Sequence, residues 1–231
     1  MDSNIRYFDF GFEDTQRPMR VVMYGIGAYA SGSGQTLTRH TNSTFIYLRN
    51  RVRHSLFRQI FIVGVGRGIH HEKTLSGARG LEDVYFEHIS IEFPHSRGIE
   101  VNGDYNVRFT DVYGGWTATD TYIIQVNDVF ALWITRPWIL YSSPRAIRLI
   151  NVSKAYIRDV VIESCSGSNA IEIINSDMVR VDGIHIDTVG NYSPAYIFTL
   201  RNNQNLYISN VYAKYVNNIL YLAFNSIERI L

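Results

Sequence analysis

The chain has 231 residues, 46% of them apolar and 19% charged, with 22 basic against 21 acidic side chains and a formal net charge of +1. That length reads as one domain, or two at most, with enough apolar content for a core and too little charge for a disordered chain. The balance of charge leaves no basic excess to grip a phosphate backbone and disfavours nucleic acid as the main partner, a single cysteine excludes an intrachain disulfide, and no apolar run is long enough to span a bilayer.

The chain opens with MDSNIRYFDFGFEDTQ. No cationic stretch leads into an apolar one, so it does not read as a classical signal peptide. Residues 1–20 read as an N-terminal cap or lead-in, with Phe8, Phe10 and Phe12 among acidic residues. Val21–Ala28 follows, and from there to residue 231 the chain reads as one repetitive domain.

Thr44-Phe45-Ile46 and Gly68-Ile69 look like the starts of repeats. Phe57, Ile60 and Ile62, and then Val84, Phe86, Ile89 and Ile91, carry the apolar positions of those repeats. Between Ile69 and Ile99 the stretch Lys73–Gly80 reads as an inserted loop.

From Ile99 the repeat is plain. Lines begin at Ile99, Ile124, Ile147, Ile171 and Phe198, at steps of 25, 23, 24 and 27 residues. Paired apolar residues recur inside each line: Val107 and Phe109, Leu132 and Ile134, Ala155 and Ile157, Val179 and Val181, Leu206 and Ile208. A further pair follows in Val160 and Ile162, Ile184 and Ile186, and Val211 and Ala213. Spacing by two is the strand period. Each repeat therefore predicts three short strands separated by tight bends.

Strands so short and apolar cannot stand alone, and the joints lack Asn-Gly or Asp-Gly hairpin turns. Coiling the chain so that equal positions stack in parallel buries each inward residue against its copies. The fold class expected is all-β: a single-stranded right-handed parallel β-helix of about seven or eight coils. Asp128, Asn151, Asn175 and Asn202 fall at one bend, and Asp111, Asp159, Gly183 and Asn210 at another. Asn and Gly tolerate the left-handed backbone such bends need. On this reading Asn175 matters to stability, and Asn203, one residue past the ladder, matters less.

The line form I-x-[VLI]-x-N…[AV]-x-[FIV]-x-[DN]-V-x-[IV], with the glycine-containing turn in Val21–Ala28, resembles the right-handed β-helix of the pectate-lyase-like superfamily and of bacteriophage tailspikes. The resemblance covers residues 20–231. It implies a solenoid fold and a polysaccharide-related role. The polygalacturonase signatures N-T-D, D-D and G-H-G, and the Tyr-Gly-x-Asp-Pro-His run of mannuronan epimerases, are absent. No catalytic residue carries over from the family.

Sites must then come from stacking, with equal positions about 4.8 Å apart on adjacent turns. Glu163 and Asp187 stack outward with His185 beside them. Paired carboxylates suit acid and nucleophile roles at a glycosidic bond, although Lys214 falls near the same column and a solvated Glu–Asp–Lys ladder is the alternative. His70 and His71 beside Glu72 form a second candidate catalytic cluster, over which His95, Arg97 and Glu100 stack from the next turn. No H-E-x-x-H or C-x-x-C spacing supports a metal, and no cofactor is expected. Cys165, in a bend, reads as a structural thiol.

The third feature is an outward column of Tyr85, Arg108, Trp133, Tyr156, Arg180 and Tyr207, with Tyr113, Trp138 and Tyr212 in a neighbouring one. Exposed aromatics on a rigid sheet stack on sugar rings or anchor a subunit interface. The last line stops about half a turn in, at Ser226–Leu231, so the C-terminal end is expected to be uncapped and to need a partner. The functional expectation is a virion or tailspike-like attachment protein that binds cell-surface polysaccharide as an oligomer, trimeric by analogy. It would be made in the cytoplasm and work on the virion or outside the cell. A polysaccharide lyase, hydrolase or epimerase, and a purely structural solenoid subunit, are the alternatives.

Overall fold

The computed structural model describes residues 5–11, 19–29, 40–115, 121–140, 144–164, 167–187, 194–214, 220–223 and 227–230. Cys165 lies outside them. The strands run in order β1 (Ile5–Gly11), β2 (Val22–Tyr29), β3 (His40–Arg49), β4 (Val52–Val63), β5 (Val65–Glu72), β6 (Leu81–Glu92), β7 (Arg97–Gly115), β8 (Thr121–Asn127), β9 (Ala131–Thr135), β10 (Trp138–Leu140), β11 (Pro144–Ile150), β12 (Lys154–Glu163), β13 (Gly167–Ile174), β14 (Asp177–Asp187), β15 (Pro194–Arg201), β16 (Gln204–Lys214), β17 (Leu220–Ala223) and β18 (Ile227–Ile230).

The chain is an all-β parallel solenoid, with a turn count broadly as the repeat implies. One ladder stacks β1, β3, β5, the start of β7, β8, β11, β13, β15 and β17. A second stacks β2, β4, β6, the rest of β7, β9 with β10, β12, β14, β16 and β18. Each turn of chain thus adds one rung to both ladders.

The repeat starts read from the sequence are true register partners. Ile46, Ile69, Ile99, Ile124, Ile147, Ile171, Phe198 and Leu220 follow one another up the first ladder. Across the core stand Phe57, Phe86, Phe109, Ile134, Ile157, Val181 and Ile208, also in register. The first three rings stack at centroid distances of 5.2 and 5.0 Å. Burying one such side chain contributes roughly 1.5–3 kcal/mol. Residues 5–11 join the same scheme, with Phe8 over Ile46 and Phe10 over Leu48.

Left-handed residues make the corners. Asp128, Asn151, Asn175 and Asn202 have φ between 49 and 56° at the turn from the first ladder to the second. A second column bends the long strands in mid-course: Gly25, Gln59, His88, Asp111, Arg136, Asp159, Gly183 and Asn210 all have positive φ. β12, for example, runs through Asp159 as two straight halves, which are the second and third strands of the expected repeat. Gln59 and Arg136 are not favoured left-handed residues, and each costs about 1–2 kcal/mol there. The stacking of the flanking apolar pairs enforces the bend.

Candidate functional site: an aromatic and arginine column

β12 explains how the site is built. Ala155 and Ile157 point inward and are buried, so Tyr156 between them points out. The same alternation on each rung places Tyr85, Arg108, Trp133, Tyr156, Arg180 and Tyr207 in a single outward column, each the register partner of the next. Tyr156 and Tyr207 remain 47% and 41% exposed. The rings of Trp133 and Tyr156 lie 6.2 Å apart and 13° from parallel. The guanidinium of Arg108 sits over Trp133 at 4.5 Å and over Tyr85 at 5.4 Å.

Two clefts open along this column. One, of about 450 Å³, is lined by Trp133, Thr135, Tyr156, Arg158, Arg180 and Asp182. The next, of about 490 Å³, is lined by Tyr156, Met178, Arg180, Asn205 and Tyr207. Asp182 Oδ1 accepts from Ser209 Oγ at 2.9 Å and from Asn210 Nδ2 at 2.7 Å. The Asn210 bond, then the Ser209 bond, hold its carboxyl below the usual aspartate value.

Tyr113 and Trp138 meet edge to face at 6.0 Å in the neighbouring outward column, and His185 stacks on Tyr212 at 4.7 Å. Glu163, Asp187 and Lys214 are successive register partners beside it. Trp138 Nε1 donates to Glu163 Oε1 at 3.1 Å, which gives that carboxylate a structural partner. Neither of the two clefts reaches Glu163, His185 or Asp187.

On the first ladder, His70 and Glu100 are register partners. His70 lies between two carboxylates: its Nε2 is 3.1 Å from Glu72 Oε2 and its Nδ1 3.1 Å from Glu100 Oε2. Tyr47 donates its hydroxyl to Glu72, and Arg97 donates to Glu100. Burial pushes Glu72 up, but the bonds from Tyr47 and His70 outweigh it and leave the carboxyl below its ordinary value. Glu100 is likewise raised by burial and lowered further by the His70 bond and the charge of Arg97.

His71 takes no part in this cluster. Strand alternation turns it inward, into register with Leu48 and two residues past the inward Ile69, where it is fully buried. His95 does not stack on His70 either; its amide bonds to the carbonyl of Val65, five residues before His70. Among the described residues no group of three or more His, Cys, Asp or Glu side chains is placed to hold a metal ion.

One polar centre was missed from the sequence. Glu172 is 2% exposed although it points away from the core. Tyr122 donates to it at 2.9 Å, and Arg145, Arg148 and Arg201 lie 3.4, 3.0 and 4.0 Å away. The signal was present, since Glu172 stands one residue past a repeat start with an arginine at the same place in the line before. Only the register shows that Arg148 and Glu172 are neighbours.

Compared with family models, with curated proteins and with solved structures, the chain has no match.

Proposed function

We propose that this chain is a polysaccharide-binding solenoid, an attachment protein of the tailspike kind that holds surface glycan on the outer face of the second ladder and works as an oligomer on a virion or outside the cell. On this reading it shares its ancestry with the pectate-lyase-like superfamily. One observation carries the reading: two adjoining clefts run along an outward column of half-buried Trp133 and exposed Tyr156 and Tyr207. Such a column on a parallel scaffold is rigid, because every rung is hydrogen-bonded above and below. Aromatic side chains fixed in that way lose little entropy when they meet a sugar ring or another subunit.

The test is Trp133→Ala, studied by sedimentation and by retention on immobilised polysaccharides. Retention lost at unchanged mass supports the glycan platform. Mass falling to the monomer makes the column an interface. No change in either leaves a structural solenoid.

The placement of His70 between Glu72 and Glu100 favours a second reading, a polysaccharide-active enzyme. Proton transfer at a glycosidic bond needs such groups. Release of reducing or unsaturated ends from acidic polysaccharides, abolished in Glu100→Gln, is the outcome that establishes it.

A further inference from the structure

The aromatic column is interrupted by two arginines, and they behave differently. Arg108 lies over the rings on either side of it, so its guanidinium fills the gap between Tyr85 and Trp133. Arg180 occupies the same column between Tyr156 and Tyr207. Among the described residues its guanidinium lies over neither ring, and its nearest carboxylate is Asp182 at 3.9 Å. The gap at Arg180 is therefore open, and it is the cleft of about 490 Å³.

The width of the gap follows from the rungs. Tyr156 and Tyr207 stand two rungs apart, about 10 Å at the strand spacing. Ring-to-ring contact takes roughly 4.5–7 Å between centroids. One further ring fits between the two tyrosines, and two do not. Its charge also follows from the lining. Arg180 lines both clefts, and Arg158 lines the adjoining one with Asp182, the single carboxylate of the two. Asp182 is already bonded to Ser209 and Asn210, and Arg158 makes no ion pair among the described residues. A guanidinium without a strong partner beside an apolar slot is suited to a carboxylate or sulfate, which it meets with two parallel N–H donors.

We propose that the slot between Tyr156 and Tyr207 takes an anionic sugar unit. Its ring is held between the two tyrosines, and its carboxylate or sulfate is received by Arg180, with Arg158 in the adjoining cleft. This rests on the glycan-platform reading and narrows it from polysaccharide in general to acidic polysaccharide. Met178 and Asn205 close the remaining sides of the slot, one apolar and one able to bond a hydroxyl.

The experiment is calorimetric titration of the full chain with three probes: an oligogalacturonate, a sulfated dextran oligosaccharide and a neutral malto-oligosaccharide. Each is titrated at low and at roughly physiological ionic strength. The expected result is a preference of about tenfold or more for one anionic probe over the neutral one, the scale of a single charge-assisted contact. Whichever anionic probe is preferred separates carboxylate from sulfate. Arg180→Gln should remove that preference. Tyr156→Ala should weaken every probe. Arg201→Gln, an exposed arginine on the other ladder, is the control for general charge and should change nothing.

Equal binding of neutral and anionic probes overturns the inference and leaves the platform standing. Binding of none of the three, together with no retention on any polysaccharide, overturns the platform itself. An anionic preference that survives Arg180→Gln, or falls equally in Arg201→Gln, places the acid group elsewhere and also overturns the inference.

Discussion

The imidazole of His71 donates through Nε2 to the backbone carbonyl of Asn50 at 2.8 Å and accepts through Nδ1 from the amide of Asn102 at 3.2 Å. A neutral ring thereby joins three successive rungs inside an apolar core. Asn50 is itself buried and left-handed, and its side-chain oxygen accepts from the amides of Thr74 and Leu75. The inserted loop after β5 is anchored on the same residue.

Burial pulls the His71 pKa from 6.5 down to about 4. Above about pH 6.5 both folded and unfolded chains carry the neutral ring, and its contribution to stability is fully present. Between 6.5 and 4 the unfolded chain binds a proton that the folded chain refuses. Stability therefore falls as pH falls through that window, by about 3 kcal/mol across it. Denaturant titrations at pH 7.5 and 4.5 measure the loss. His71→Leu should flatten this part of the profile, at a cost of about 1–3 kcal/mol at neutral pH for the groups left unpaired. A wild-type profile as flat as that of the variant would show that His71 is not held neutral.

Ile157 stacks between Ile134 and Val181, with hydrogen-bonded strands above and below that fix their spacing. The neighbours cannot close over a void without breaking the ladders. Ile157→Ala should cost about 2–5 kcal/mol in chemical denaturation. A cost of a few tenths would contradict the packing described.

Asn203 reverses an expectation from the sequence. It lies past the corner column, yet it is buried, with its side-chain oxygen accepting from the Ser176 amide and its nitrogen donating to the Ile173 carbonyl, both at 2.8 Å. Asn175 is exposed and contributes its left-handed φ and an acceptor to Asn202 at 3.2 Å. Asn203→Ala should therefore cost about 2–3 kcal/mol for two stranded backbone groups, and Asn175→Ala about 1 kcal/mol for its φ. Thermal unfolding of the two variants side by side gives the order. The opposite order would restore the corner column as the main polar support.

Glu172 is the only carboxylate among the described residues within ion-pair reach of Arg145, Arg148 and Arg201. Glu172→Gln keeps the shape and removes the charge, leaving three guanidinium groups facing one another. Those groups keep partial contact with water, so the expected cost is about 2–3 kcal/mol, at or below the low end for breaking a buried pair. It should shrink in high salt, where the repulsion is screened. A loss below about 0.5 kcal/mol would mean that the arginines are independently solvated.

The sequence by itself determined the solenoid and its register. Ile99, Ile124, Ile147, Ile171 and Phe198 stack because each can bury its side chain only against its own copies, so the apolar repeat has one solution. The same alternation put Trp133 and Tyr156 on the outside. Tertiary structure alone decided what polar residues do, because their partners sit a full turn away and lie on either side of a rung. His71 turns inward while His70 beside it turns out, and Asn203 is buried while Asn202 is not. Whether Arg180 fills the gap beside it or leaves it open is likewise invisible in the repeat. Arg108 holds an equivalent place and does the reverse, because side-chain direction depends on the rings and charges of both neighbouring turns at once.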